Sequence, residues 1–115
     1  MRNLSLFFSF WIGITFLSIA QSVTFDPINF PGKEAELGQA IDAYEKGDRY
    51  YERGPHHFEK ALDFYMQAHR FNPENGRLNF QIASIHEDMS RPDSAAHYME
   101  RAMVLDPQYK SFGVY

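Results

Sequence analysis

The sequence predicts an all-α fold of two antiparallel helix-turn-helix hairpins, and three observations carry that prediction. First, the phrase FEKALDFYMQAHRFNP, from Phe58 to Pro73, returns in recognisable form 34 residues on as PDSAAHYMERAMVLDP, from Pro92 to Pro107. Ala61, Tyr65, Ala68 and Pro73 fall on Ala95, Met99, Ala102 and Pro107, a period that marks stacked structural repeats. Second, the segment ahead of each copy places apolar residues at spacings of three and four, the period of a helix with one buried face. Third, Gly54-Pro55, Asn72-Pro73 and Asp106-Pro107 punctuate the chain where helices must stop, because the residue before proline is pushed out of helical backbone.

In chain order, MRNLSLFFSFWIGITFLSIAQS opens with a positive end and an uncharged apolar run from Leu4 to Ala20. It reads as a secretory signal peptide over residues 1–20, with Ser18-Ile19-Ala20 supplying the small-x-small pattern for cleavage before Gln21. The alternative is an uncleaved anchor, for which a run of about seventeen residues is at the short end of a membrane span. No basic cluster follows to stop transfer, and Gln21, Ser22 and Thr24 make a polar exit. Residues 21–33 carry two prolines and a glycine and form an extended arm. Phe25, Ile28 and Phe30 make it too apolar for a plain tether and able to lie across the first helix.

Residues 34–107 hold the two repeats. The first helix is expected from Glu34 to Arg53, with Leu37, Ile41, Tyr44, Tyr50 and Tyr51 on its apolar stripe. Gly47 within it costs up to about 1 kcal/mol against alanine, so another helix is expected to approach closely there. The second helix opens at His56 or His57 and runs to Phe71. Asn75 caps a third helix through about Met89, with Leu78, Ile82, Ile85 and Met89 inward. For the fourth helix Ser90 is the expected cap, Pro92 sits in the first turn and Asp93 faces the positive end of the dipole. Residues 108–115 look like the start of an incomplete third repeat or a capping helix.

These residues resemble the tetratricopeptide repeat family over roughly Ala40 to Pro107. In the second helix of each pair that family places a small residue, a large one four later, alanine three after that and proline five further on. Ala61, Tyr65, Ala68, Pro73 and Ala95, Met99, Ala102, Pro107 match this repeat-packing pattern. Gly47 and Ala83 match the small residue of its first helix, and Tyr50 and Gly54 match its aromatic and glycine, where the second pair has His86 and Ser90; the turn of the first pair carries about two extra residues. The resemblance implies the start of a right-handed α-solenoid whose first helices line a concave partner-binding face. That face would be formed by Ile41, Tyr44, Asp48, Tyr51 and Glu52, then Arg77, Phe80, Ser84, Glu87 and Asp88. It is aromatic and acidic and suits a basic or aromatic peptide segment. Chaperone-binding relatives use lysine and asparagine there to hold a terminal carboxylate; Tyr44 with Asp48, and Phe80 with Ser84, do not carry that activity over.

A narrower resemblance joins the exported leader, the short arm and the phrases AHRFNPENGRLNFQIA and AMVLDPQYK. They look like the N-terminal region of bacterial envelope proteins in which such repeats precede a β-propeller and a peptidoglycan-binding domain of the outer-membrane-protein-A type. It implies a periplasmic or outer-membrane-associated protein of a Gram-negative bacterium, of which this chain is the start, scaffolding a secretion-related complex. The alternative is a structural spacer at the head of a peptidoglycan-attached protein, with no groove ligand of its own. Tyr44 and Phe80 then count as core, covered by the arm or by a further repeat.

Nothing in the residue types supports an enzyme, a cofactor, a metal or a small-molecule substrate. With no cysteine, disulfides, thiolate sites and a lipid anchor on the leader are excluded. His56 and His57 point apart, and Ser90 stands where a zinc-protease helix beginning at His86-Glu87 would need its second histidine. The serines lie in no nucleophile context, and Gly32, Gly38, Gly47 and Gly54 are isolated rather than gathered into a phosphate loop. At a formal charge of −4 the chain offers nucleic acid no electrostatic attraction. A protein or peptide partner in the cell envelope is the expectation, with no membrane span once the leader is removed.

Overall fold

The computed structural model describes residues 20–111, so the expected leader, apart from its last residue Ala20, and the last four residues of the tail lie outside the described residues. Within them the chain is all-α, with no strand: α1 Glu34–Glu52, α2 Phe58–Phe71, α3 Gly76–Asp88 and α4 Pro92–Leu105. Short 3₁₀ turns stand at Pro27–Asn29, Pro55–His57 and Pro107–Ser111. Helix α1 packs on α2 and α3 on α4, with α2 against α3 between the pairs.

The first pair closes tightly because its facing positions are small. Leu37, Ala40, Ala43, Tyr44 and Gly47 form the buried stripe of α1, while Tyr50 and Tyr51 are only half-buried. A Cβ at Gly47 would lie 2.5 Å from Cδ1 of Tyr65, so the bare glycine lets the tyrosine ring of α2 rest on the α1 backbone. Ala61, Tyr65 and Ala68 are sealed in α2, and Ala95 and Ala102 in α4. Met99 is half-buried, and Pro73 and Pro107 are exposed at the ends of their helices. Leu78, Ile82 and Ile85 of α3 join the α1 and α2 residues in one apolar cluster. Burying a side chain of that size contributes about 1.5–3 kcal/mol, so this cluster dominates the stability of the described residues.

The helix ends follow local chemistry, with one correction. Asn75 caps α3, its side-chain oxygen accepting the Leu78 amide at 2.8 Å. Ser90 does not cap α4; the cap position belongs to Arg91, which makes no side-chain capping bond. Instead Ser90 terminates α3 in left-handed backbone at φ 58°. Its amide donates to Glu87 and the Arg91 amide to His86, the paired bonds of a Schellman end. Gly54 follows α1 at φ 100° and ψ −174°, an extended positive-φ conformation open to glycine, and there Pro55 has no amide to make a second bond. The tail beyond Leu105 begins as the 3₁₀ turn Pro107–Ser111, with Tyr109 buried.

The arm is fastened rather than loose. Ser22 donates its amide to Leu105 and accepts the Gly76 amide on its hydroxyl, while the Val23 amide donates to Glu74. Val23 in turn accepts from the side-chain amides of both Asn72 and Asn75, each at 2.9 Å. The chain entering the first hairpin is thereby stitched to the α2–α3 turn and the end of α4. Phe25 meets Tyr44 edge-on at 5.5 Å and Phe30 lies against Phe71, whereas Ile28 stands 82% exposed.

Candidate functional site

Helices α1 and α3 place eight of the ten expected face residues in two grooves, and Ile41 and Tyr44 line neither. Asp48, Tyr51 and Glu52 from α1 meet Arg77 and Gln81 from α3 around a groove of about 380 Å³ floored by Tyr65. Successive turns of α1 deliver Asp48 and Tyr51/Glu52 to one side because residues three and four apart share a helix face. The second set, Phe80, Ser84, Glu87 and Asp88, opens instead toward α4, and lines a separate groove of about 700 Å³.

The polar groups of the first groove are organised around tyrosine hydroxyls. Tyr65 donates to Asp48 Oδ1 at 2.7 Å, and Tyr51 donates to Asp88 Oδ2, tying the end of α1 to the end of α3. Both phenols are pushed well above the ordinary value, first by loss of water and then by the carboxylate each one faces. They are therefore fixed donors over the ordinary pH range, and neither is poised as a base. Two carboxylates, Asp48 and Glu52, line this groove beside one cation, Arg77, so the surface favours a positive group.

Tyr44 lies beneath this surface. It is 9% exposed, with Phe25 on one side, Tyr65 edge-on at 5.9 Å and the Arg77 guanidinium 5.7 Å from its ring. Its hydroxyl is buried without a hydrogen-bond partner, and burial raises its pKa. Phe80 stacks on Tyr109 at 4.7 Å. Ile41 is half-buried on α1, and Ser84 returns its hydroxyl to the Phe80 carbonyl at 2.9 Å. Gln81 and Tyr65 were not expected on the face. Gln81 is one residue beyond Phe80 and four beyond Arg77, a spacing that could have pointed to it.

Two of the histidines, His69 and His86, occupy packing positions. His86 is 8% exposed, stacked on Tyr98 at 5.6 Å, and His69 faces the Asn79 amide at 3.3 Å. Desolvation lowers both pKa values. Among the described residues no three histidine, aspartate or glutamate side chains gather as a metal site would require, and no helix is long and apolar enough to cross a membrane. No family model, curated protein or solved structure matches the chain.

Proposed function

We propose that the chain is an exported tetratricopeptide-type module, the start of a right-handed α-solenoid, that scaffolds a periplasmic or outer-membrane-associated complex by protein–protein interaction. The repeat reading is supported by the small residues under the large ones, Gly47 beneath Tyr65 and buried Ala61, Ala68, Ala95 and Ala102 at the repeated positions. The binding reading is carried by the groove between α1 and α3, where carboxylates outnumber cations beside tyrosines already committed as donors. A lysine or arginine of a partner segment would find unshared carboxylate oxygens there, which gives orientation and a faster encounter more than raw affinity. Glu52 is exposed at the rim. Glu52→Lys is expected to abolish co-purification of the partner from the envelope fraction while leaving thermal melting unchanged; retained co-purification sinks this reading of the groove.

A second reading, the structural spacer at the head of a longer peptidoglycan-attached protein, is favoured by Phe25 lying over Tyr44 and Tyr109 over Phe80, which leave two aromatic residues of the face engaged within the chain. Deleting residues 40–107 separates the two. A scaffold loses its complex, whereas a spacer only shortens.

A further inference from the structure

The internal repeat shows how the groove of the first hairpin is closed, and the equivalent groove of the second hairpin is open. In the first copy Ala61, Leu62 and Tyr65 are 0%, 8% and 0% exposed because the aliphatic stripe of α3, Leu78, Ile82 and Ile85, joins them in one cluster. The residues 34 positions later, Ala95, Ala96 and Met99, line the 700 Å³ groove between α3 and α4, where Ala96 is exposed and Met99 half-buried. Ala83 and Met103 complete its apolar floor. Where the filled groove carries leucine and tyrosine the open one carries alanine and methionine, so it has room for larger side chains than those of α3. Methionine also adapts to the shape of what enters.

The rim gives the charge of the occupant. Glu87, Asp88 and Glu100 border the floor, and no lysine or arginine lines the groove. A helix laid into it must bring large apolar residues at i, i+4 and i+7, the spacing of Leu78, Ile82 and Ile85, with basic residues on the flanking positions. We propose that the α3–α4 groove docks an amphipathic, basic helix of a partner polypeptide, seated as α3 is seated on the first hairpin. This surface is separate from the groove between α1 and α3 and does not rest on the reading given for it.

The test uses a fluorescent, hydrocarbon-stapled helical peptide with leucine at i, i+4 and i+7 and lysine on the flanks, titrated against the full chain by anisotropy. Saturable binding is expected, weakened about tenfold or more by Ala96→Arg and by Met103→Glu, whose positions are exposed or half-buried, with melting temperatures unchanged. The same peptide with glutamate for lysine is expected to bind more weakly, and added salt to narrow the difference. Absence of binding to the folded chain, or binding that neither substitution disturbs, overturns the proposal. So does sedimentation that shows two copies of the chain occupying each other's grooves.

Discussion

Replacing Gly47 with alanine reverses the ordinary effect of that substitution in a helix. In an exposed helix interior the exchange stabilises by up to about 1 kcal/mol, because alanine has the higher helix propensity. At Gly47 the new Cβ would lie 2.5 Å from Cδ1 and 2.6 Å from Cε1 of Tyr65. Those are ring atoms of a side chain that is 0% exposed and whose hydroxyl is held by Asp48 at 2.7 Å, so the ring cannot swing aside without losing that bond. Overpacking of this kind costs about 1–3 kcal/mol. Taking the upper part of that range for so close an approach and subtracting the propensity gain leaves a net loss of about 1–2 kcal/mol. In a domain of this size that lowers the melting temperature by roughly 4–16 °C. Gly38 is the internal control, since a Cβ there meets nothing within 4 Å, and Gly38→Ala is expected to raise the melting temperature by a few degrees. Paired thermal melts followed by circular dichroism read both. A Gly47→Ala chain as stable as Gly38→Ala would refute the close approach of α2 to α1.

Three further outcomes follow from the same geometry. Ser90→Gly removes the cost of left-handed backbone at φ 58° and is expected to stabilise the chain by about 0.5–1 kcal/mol in urea unfolding. Asn75→Ala deletes both the cap of Leu78 and a bond to Val23; it is expected to cost about 1–2 kcal/mol and to speed proteolytic cutting in residues 21–33, read by mass spectrometry. His69 and His86 sit below their ordinary value of 6.5, mainly through desolvation; the Asn79 hydrogen bond opposes the depression at His69 and Glu59 at His86, while Arg101 and Arg91 add to it. The unfolded chain therefore binds protons first as pH falls. Stability is full above about 6.5 and declines as pH drops through that value toward the lower folded ones, which urea titrations across pH 7.5 to 5 would record.

The sequence made the helices legible because their signals are local. The period of Leu78, Ile82 and Ile85, the cap at Asn75 and the prolines after Asn72 and Asp106 act within a few residues, and the elements stand within a residue or two of the expected places. Ser90 misled because serine before Pro92-Asp93 has the chemistry of a cap, while the end of α3 needed a left-handed residue one position too early for that role. The inward stripe of α1 was only partly legible: Ala40 and Ala43 carry little hydrophobic signal, and their burial follows from how closely α2 approaches. The arm's attachment was hidden for another reason. Val23 meets Asn72 and Asn75 across about fifty residues of chain, and no local pattern announces a backbone carbonyl gripped by two side-chain amides. Of the site, the residue types on α1 and α3 could be placed by helical spacing. Their division into two grooves follows from which helix each meets: Phe80 and Ser84 line a groove with Ala96, Met99 and Met103 of α4, while Arg77 and Gln81 line one with Asp48 of α1.

The groove between α1 and α3 is proposed to hold a protein partner. A photo-cross-linking amino acid placed at Gln81, inside that groove, and at Asp63, exposed on α2, measures it most directly in intact cells. A partner seated there gives one discrete adduct from position 81 that disappears with Glu52→Lys and is absent from position 63. Equal adducts from both positions, or none from position 81 in a chain that folds normally, would contradict it.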